Sequence, residues 1–275
     1  MDDKASPILC CVPFLKPHEK HMEHFFEWYI YNHSRFPLRR YREFYRSLQQ
    51  VQSRAVQLAR LMGASHILFT EDDQWGYPVE GLEALLEADK EVIGFKTYFK
   101  KYPYLSMAMR RKDPEVPLDL ITRTQHLVQI EGVGPGTDPI QKVDLLSWAF
   151  TLVRMTVFDR MEEAGLEPFR QWGPVPTDSF FCQYCEDIGV EKFVDFRYTI
   201  GHGDIPPGQL HHYRRLHEAI HMDKKMMQRR LITLEDDYGL PYGQAEYEPG
   251  PAKIMRQLQE TEGNGKKLPE KKFAI

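Results

Sequence analysis

Short apolar runs recur along the chain, separated by stretches in which apolar residues return every three or four positions. Pro7–Pro13 (PILCCVP), Ile67–Phe69, Glu91–Phe95 (EVIGF) and the alternating Lys192–Ile200 (KFVDFRYTI) predict strands. His126–Ile130 reads as an edge strand, and Val143–Val153 as a further, mostly apolar stretch. Helical spacing predicts a helix carrying His18, His21 and His24 ahead of Phe25, Trp28 and Tyr29. A second helix runs from Pro37 through Leu38, Tyr41, Tyr45 and Leu48 to a stop at Gly63. Others follow Pro78 (VEGLEALLEA), span Met155–Ala164 before Gly165, follow Asp178 (SFFCQYCEDIG), and cover Leu210–Leu231. Strand, helix and strand in close succession indicate an α/β fold with parallel pairing. These strands and helices all fall before about residue 204, apart from the last helix. A helical extension and a Lys/Glu-rich tail follow over 205–275.

At 275 residues the chain can bury a large core, and with 42% apolar and 28% charged residues it has the composition of a soluble globular protein. A net charge of −4 excludes a global basic field that would draw it to nucleic acid, so any such attraction is local. The N-terminus lacks the basic start and apolar core of a signal peptide, and no apolar run reaches the ~20 residues of a membrane span. Four cysteines form no disulfide framework at this size, so the expected setting is a reducing cytoplasm. Cys10 and Cys11 read as core residues. The pair Cys182 and Cys185, without a second pair, reads as buried helix packing. Gly132, Gly134 and Gly136 neither follow a clear strand nor open a helix, so the dinucleotide fingerprint fails.

The chemistry concentrates after Phe69, where the strand runs into Glu71, Asp72 and Asp73. Adjacent carboxylates repel and need cations or ample water to stay ionised. Strand alternation puts Glu71 and Asp73 on one side and Asp72 on the other, an arrangement suited to a hard divalent ion that also binds phosphates. An acidic turn in water is the alternative. On the predicted second helix Arg39, Arg42 and Arg46 share a face, either gripping phosphates or simply lying in solvent. The histidines His18, His21 and His24 read as a solvated face.

Four landmarks in order, PILCCVPF, RAVQLARLMGASHILFTEDDQW, TDSFFCQYCEDIG and VDFRYTIGHGD, resemble glycosyltransferases of the type-A fold (GT-A), close to the inverting family 2-like members of bacteria and phages. The resemblance covers about residues 6–204. It implies a GT-A-like open mixed sheet with flanking helices in a catalytic domain over residues 1–204, and transfer of a sugar from a nucleotide-sugar donor, UDP-linked by first choice, to a hydroxyl acceptor. Glu71-Asp72-Asp73 falls on the Asp-x-Asp motif, so Asp73 would ligate Mn2+ or Mg2+, and Glu71 or Asp72 would reach the donor ribose or a metal-bound water. His202 would close the metal shell, Asp178 would be the general base, and Pro13, Phe14 and Arg54 would lie at the donor nucleotide. The chain departs from the family pattern at Glu71, at Thr177 before Asp178, at Ala55 after Arg54, and at Ser147–Phe150; nor is a second strand visible before His66.

Displacing a nucleoside diphosphate builds negative charge on the leaving phosphate, which a divalent ion neutralises, while a carboxylate takes the proton of the attacking hydroxyl. Trp75, Trp148 and Trp172 could stack on sugar or base faces or belong to the core. The arginine stripe suggests a phosphate-bearing acceptor, a modified nucleic-acid base among the options, beside protein or polysaccharide. Two other classes compete: a metal-dependent nucleotidyltransferase, and a non-catalytic binding protein of the same fold.

Overall fold

A computed structural model describes residues 6–14, 19–44, 47–100, 105–118, 127–130, 132–171 and 176–203. The predicted C-terminal extension lies outside them. In chain order the elements are β1 (Ile8–Phe14), α1 (Glu19–His33), β2 (Leu38–Phe44), α2 (Leu48–Leu61), β3 (His66–Phe69), β4 (Gln74–Trp75), α3 (Gly81–Glu87) and β5 (Val92–Lys96). There follow β6 (Met109–Arg111), β7 (Leu127–Gln129), β8 (Ile140–Val143), β9 (Thr151–Arg154), α4 (Met155–Glu163), α5 (Thr177–Asp187), β10 (Lys192–Thr199) and β11 (Gly201–His202). Among the described residues, no helix is long and apolar enough to cross a membrane.

Seven strands form one mixed sheet in the order β2-β1-β3-β9-β5-β10-β8. Alternation along β1 and β3 divides the core between its two faces. Leu9, Cys11, Ile67 and Phe69 pack with Val51 and Ala55 of α2, Phe158 of α4 and Phe181 of α5. Ile8, Cys10, Val12 and Leu68 pack with Phe25 and Trp28 of α1 and Leu82 and Leu85 of α3. The mixed α/β fold with flanking helices is therefore present, and all four cysteines are free and buried.

Two expectations about this sheet are corrected. The helix expected from Pro37 begins only at Leu48, because residues 38–44 form β2, parallel to β1 with Ile8 opposite Leu38 and Phe14 opposite Phe44. Leu38 faces the α1 layer, Tyr41 packs on the α2 layer, and the Arg40 guanidinium lies over the rings of Phe26 and Tyr29, 4.9 and 5.6 Å from their centroids. The helix start is set by a capping box, in which Ser47 Oγ accepts from Gln50 N and Gln50 Oε1 accepts from Ser47 N. The strand–helix–strand pairing expected between β3 and β5 is also not direct. Antiparallel β9 lies between them, and Gly94 admits it: a Cβ there would stand 2.4 Å from Thr151 Oγ1. Of the edge strand expected over His126–Ile130, Leu127–Gln129 form β7, which pairs with β6 outside the main sheet, and His126 lies outside the described residues.

His66 begins β3 with its ring partly buried, and that burial, aided by Arg154 and opposed by Asp89, pulls its pKa down to about 4. A folded-state pKa below the ordinary histidine value means that the unfolded chain binds the proton more readily. Stability from this group is therefore complete above about pH 6.5 and is lost as pH falls toward about 4. After allowance for solvent at a partly exposed ring, the loss is roughly 1–2 kcal/mol. His66→Gln should flatten the slope of unfolding free energy between those pH values in urea titrations. An unchanged slope removes His66 as its source.

Candidate metal centre

Beyond Phe69 the chain leaves β3 in a turn rather than continuing as strand, and one buried side chain organises that turn. Gln74 Oε1 accepts from Glu71 N (3.2 Å) and lies 3.1 Å from Thr70 Oγ1, while its Nε2 donates to Glu71 Oε2 at 3.1 Å. Its backbone carbonyl accepts from Tyr77 Oη and from His21 Nδ1, each at 2.9 Å. The solvated face expected for the α1 histidines is thus wrong at His21, which is 0% exposed and stacks on Phe25; His18 lies outside the described residues.

The second half of the centre arrives from 128 residues further along the chain. Pairing of β10 with β5 shifts register between Asp195 and Thr199, where the buried Asp195 carboxylate binds the backbone N–H and guanidinium of Arg197. Past the bulge Thr199 still pairs with Lys96, and Ile200 N donates to Lys96 O at 2.8 Å. β11 then pairs with β4, Gln74 opposite His202 and Trp75 opposite Gly201. Gly203 N donates to Asp73 O at 2.8 Å, and Trp75 Nε1 to Gly203 O at 2.8 Å. A Cβ on Gly201 would meet Trp75 Cε2 at 2.8 Å, so only glycine permits this approach.

These contacts bring Glu71, Asp73 and His202 together, one ligand atom from each lying within 4.8 Å of the others. His202 Nδ1 donates to Tyr98 O at 2.8 Å, which fixes the tautomer and leaves the Nε2 lone pair 3.6 Å from Asp73 Oδ1 and 3.9 Å from Glu71 Oε2. Burial pulls the imidazole down to about 4, against the Tyr98 bond and together with the Lys100 charge, so Nε2 carries no proton at neutral pH. Burial pushes the Glu71 carboxyl up to about 7; the Asp178 and Asp72 charges add to this, and Lys100 and the Gln74 bond oppose it.

Where Glu71 is ionised the three groups repel one another, and a cation relieves that repulsion, as the Lys100 ammonium does at Asp73. Ligands roughly 2.1 Å from a six-coordinate ion lie about 3.0 Å apart when adjacent and about 4.2 Å when opposite. The 3.6 and 3.9 Å separations at His202 lie between those two values, so the three side chains could hold a metal ion.

Glu71 and Asp73 share one cluster with His202, and a turn rather than strand alternation brings them there. Asp178 is in the first turn of α5, whose N-cap is Pro176, and its carboxylate is close enough to raise Glu71. Trp148 fixes that turn by donating from Nε1 to Thr177 Oγ1 at 3.0 Å. Pro13 and Phe14 follow Cys11, which pairs with Phe69, so they end β1 on the side of the acids; the side chain of Phe14 lies outside the described residues.

Other expectations are not met. Trp148 is 1% exposed among Phe69, Phe169 and Phe181, and cannot stack on a sugar. Trp75 is committed to Gly201 and Gly203. Arg39 and Arg42 project from opposite faces of β2 and form no stripe, since their spacing is odd in a strand. Arg54 is exposed on α2, with its charge felt at Tyr41 rather than at the acids. Arg46 and Trp172 lie outside the described residues. Sequence reasoning missed Gln74 and Lys100, whose ammonium pairs with Asp73 Oδ2; the hydrogen bonds that define both roles have no sequence signature.

No family model matches the chain, and no curated protein matches it. Solved structures similar to it include A197 from STIV, with a TM-score of 0.48 and 10% identity over 72% of this chain and 85% of that one.

Mn2+ at 100 times its dissociation constant should stabilise the protein by about 2.7 kcal/mol, seen as a rise in Tm. Asp73→Asn and His202→Ala should each abolish most of that rise. Gly201→Ala should weaken it without removing a ligand, by displacing β11 from Trp75. A Mn2+ response retained in full by both ligand variants would place the ion elsewhere.

Proposed function

We propose that the chain is a metal-dependent glycosyltransferase, moving a sugar from a nucleotide-sugar donor to a hydroxyl acceptor with inversion. The observation that carries this reading is the convergence of Glu71, Asp73 and His202 beside Asp178, at the carboxyl ends of β1 and β3. In open α/β sheets that edge is where ligands collect.

Asp73 and His202 hold a divalent ion, with Glu71 as the third ligand. A bound ion supplies Lewis-acid neutralisation of the charge that grows on the departing diphosphate. Gln74 keeps Glu71 in place through both its backbone and its carboxylate, so the site needs little reorganisation when loaded. Asp72, outside the ligand trio, is assigned to the donor ribose, and Pro13 and Phe14 to the base, for which a UDP-linked sugar remains the first choice. Asp178 accepts the proton of the attacking hydroxyl. Four buried, free thiols support a cytoplasmic setting. With Arg39 and Arg42 on different faces, the acceptor is assigned by its hydroxyl alone, and a nucleic acid loses its special claim.

The test is a panel of nucleotide sugars with Mn2+, read for nucleoside diphosphate and for pyrophosphate. Nucleoside diphosphate should appear, and Asp178→Asn should slow its acceptor-dependent release by about 10²–10⁴-fold while leaving Mn2+ binding intact. Release of pyrophosphate instead would identify a nucleotidyltransferase. Ligand binding without turnover for any donor and acceptor would favour a binding protein.

A further inference from the structure

Lys100 occupies a place that the proposed reaction does not yet use. Its ammonium pairs with Asp73 Oδ2, while Oδ1 of the same carboxylate faces His202 Nε2 at 3.6 Å. Its charge also acts on Glu71 and His202, so it reaches all three residues of the centre. The aliphatic stem runs over Gly203, with Cγ and Cδ 3.6 Å from where a Cβ would stand. Tyr98, two residues earlier, supplies the carbonyl that anchors His202. The side chain is nevertheless 48% exposed, so solvent surrounds much of it and its reorientation costs little packing.

We propose that Lys100 and the divalent ion are alternative cationic partners of Asp73, and that Lys100 passes to the donor's diphosphate when the ion takes the carboxylate. This rests on the transferase reading above. One carboxylate that holds an ammonium on one oxygen and a dication on the other brings like charges within a few ångströms. Entry of the ion therefore weakens the lysine's hold. A donor diphosphate seated on the ion places new anionic oxygens beside that released ammonium, and a lysine is a flexible point charge able to follow them. The dication and the two negative charges of the diphosphate enter together, so the exchange leaves the net charge of the centre unchanged.

The experiment titrates Mn2+ into the full chain without donor, then UDP into the Mn2+-saturated chain, for wild type, Lys100→Met and Lys100→Arg. Lys100→Met should bind Mn2+ about three- to tenfold more tightly, because a competing cation is gone. It should bind UDP about tenfold or more weakly, because a charge-assisted hydrogen bond is lost. Lys100→Arg should restore both values toward wild type. A merely structural lysine would not move the two affinities in opposite directions. Unchanged or weaker Mn2+ binding in Lys100→Met, or unchanged UDP binding, overturns the exchange. A wild type that binds no Mn2+ overturns the metal centre as well. If both affinities shift as expected but no sugar is transferred, the exchange stands and the transferase assignment fails.

Discussion

An imidazole that donates its Nδ1 hydrogen to a backbone carbonyl has only a lone pair left on the other nitrogen. In His202 that lone pair is buried and faces two carboxylates. Such an arrangement is unfavourable unless something positive lies between the acceptors or the scaffold holds them there. Much of the surrounding structure performs the second task. The bulge at Asp195 and Arg197 shifts the register of β10, the short β4–β11 ladder sets Gln74 opposite His202, and Gln74 clamps Glu71. Each is a rigid backbone or buried-amide feature, well suited to holding mutually repelling groups in register.

The centre is also an assembly of distant sequence segments. Its acids come from the end of β3, its imidazole from beyond β10, and the nearby Asp178 from α5, whose first turn is fixed by Trp148. The tryptophans and glycines around it therefore act through geometry. Trp75 closes over Gly201, and Trp148 joins the aromatic core of Phe69, Phe169 and Phe181 to the turn that carries Asp178. Their aromatic faces are spent on holding the chain together, which leaves recognition to the polar groups at the sheet edge.

Apolar runs and glycine stops were enough to read β1, β3, β5, α3, α4 and β10, because in those elements burial and residue type agree. They failed at β2. Leu38, Tyr41, Tyr45 and Leu48 fall at helical intervals, and the strand's own period is hidden because Arg40 takes an apolar role over Phe26 and Tyr29. The Ser47-x-x-Gln50 box was the local sign that a helix starts after the strand. In the centre, Glu71 and Asp73 could be paired by counting residues, and the link to His202 came from the resemblance. Gln74 and Lys100 were illegible because their importance comes from contacts made only after distant strands meet. His21 reads as an ordinary polar helix residue until Gln74 and Tyr77 are packed against it.

The position of β9 has a consequence for the order in which the molecule can be built. β3 and β5 have both been synthesised by residue 96, yet each needs the same antiparallel partner, Thr151–Arg154, to fill the space between them. On the ribosome the N-terminal strands therefore wait, with open hydrogen-bonding edges, for more than fifty further residues. Closing such a gap is a non-local, entropically costly step, and the waiting edges are the kind that associate wrongly with other chains. The strand that completes the sheet therefore ties the folding of its N-terminal half to a segment far along the chain.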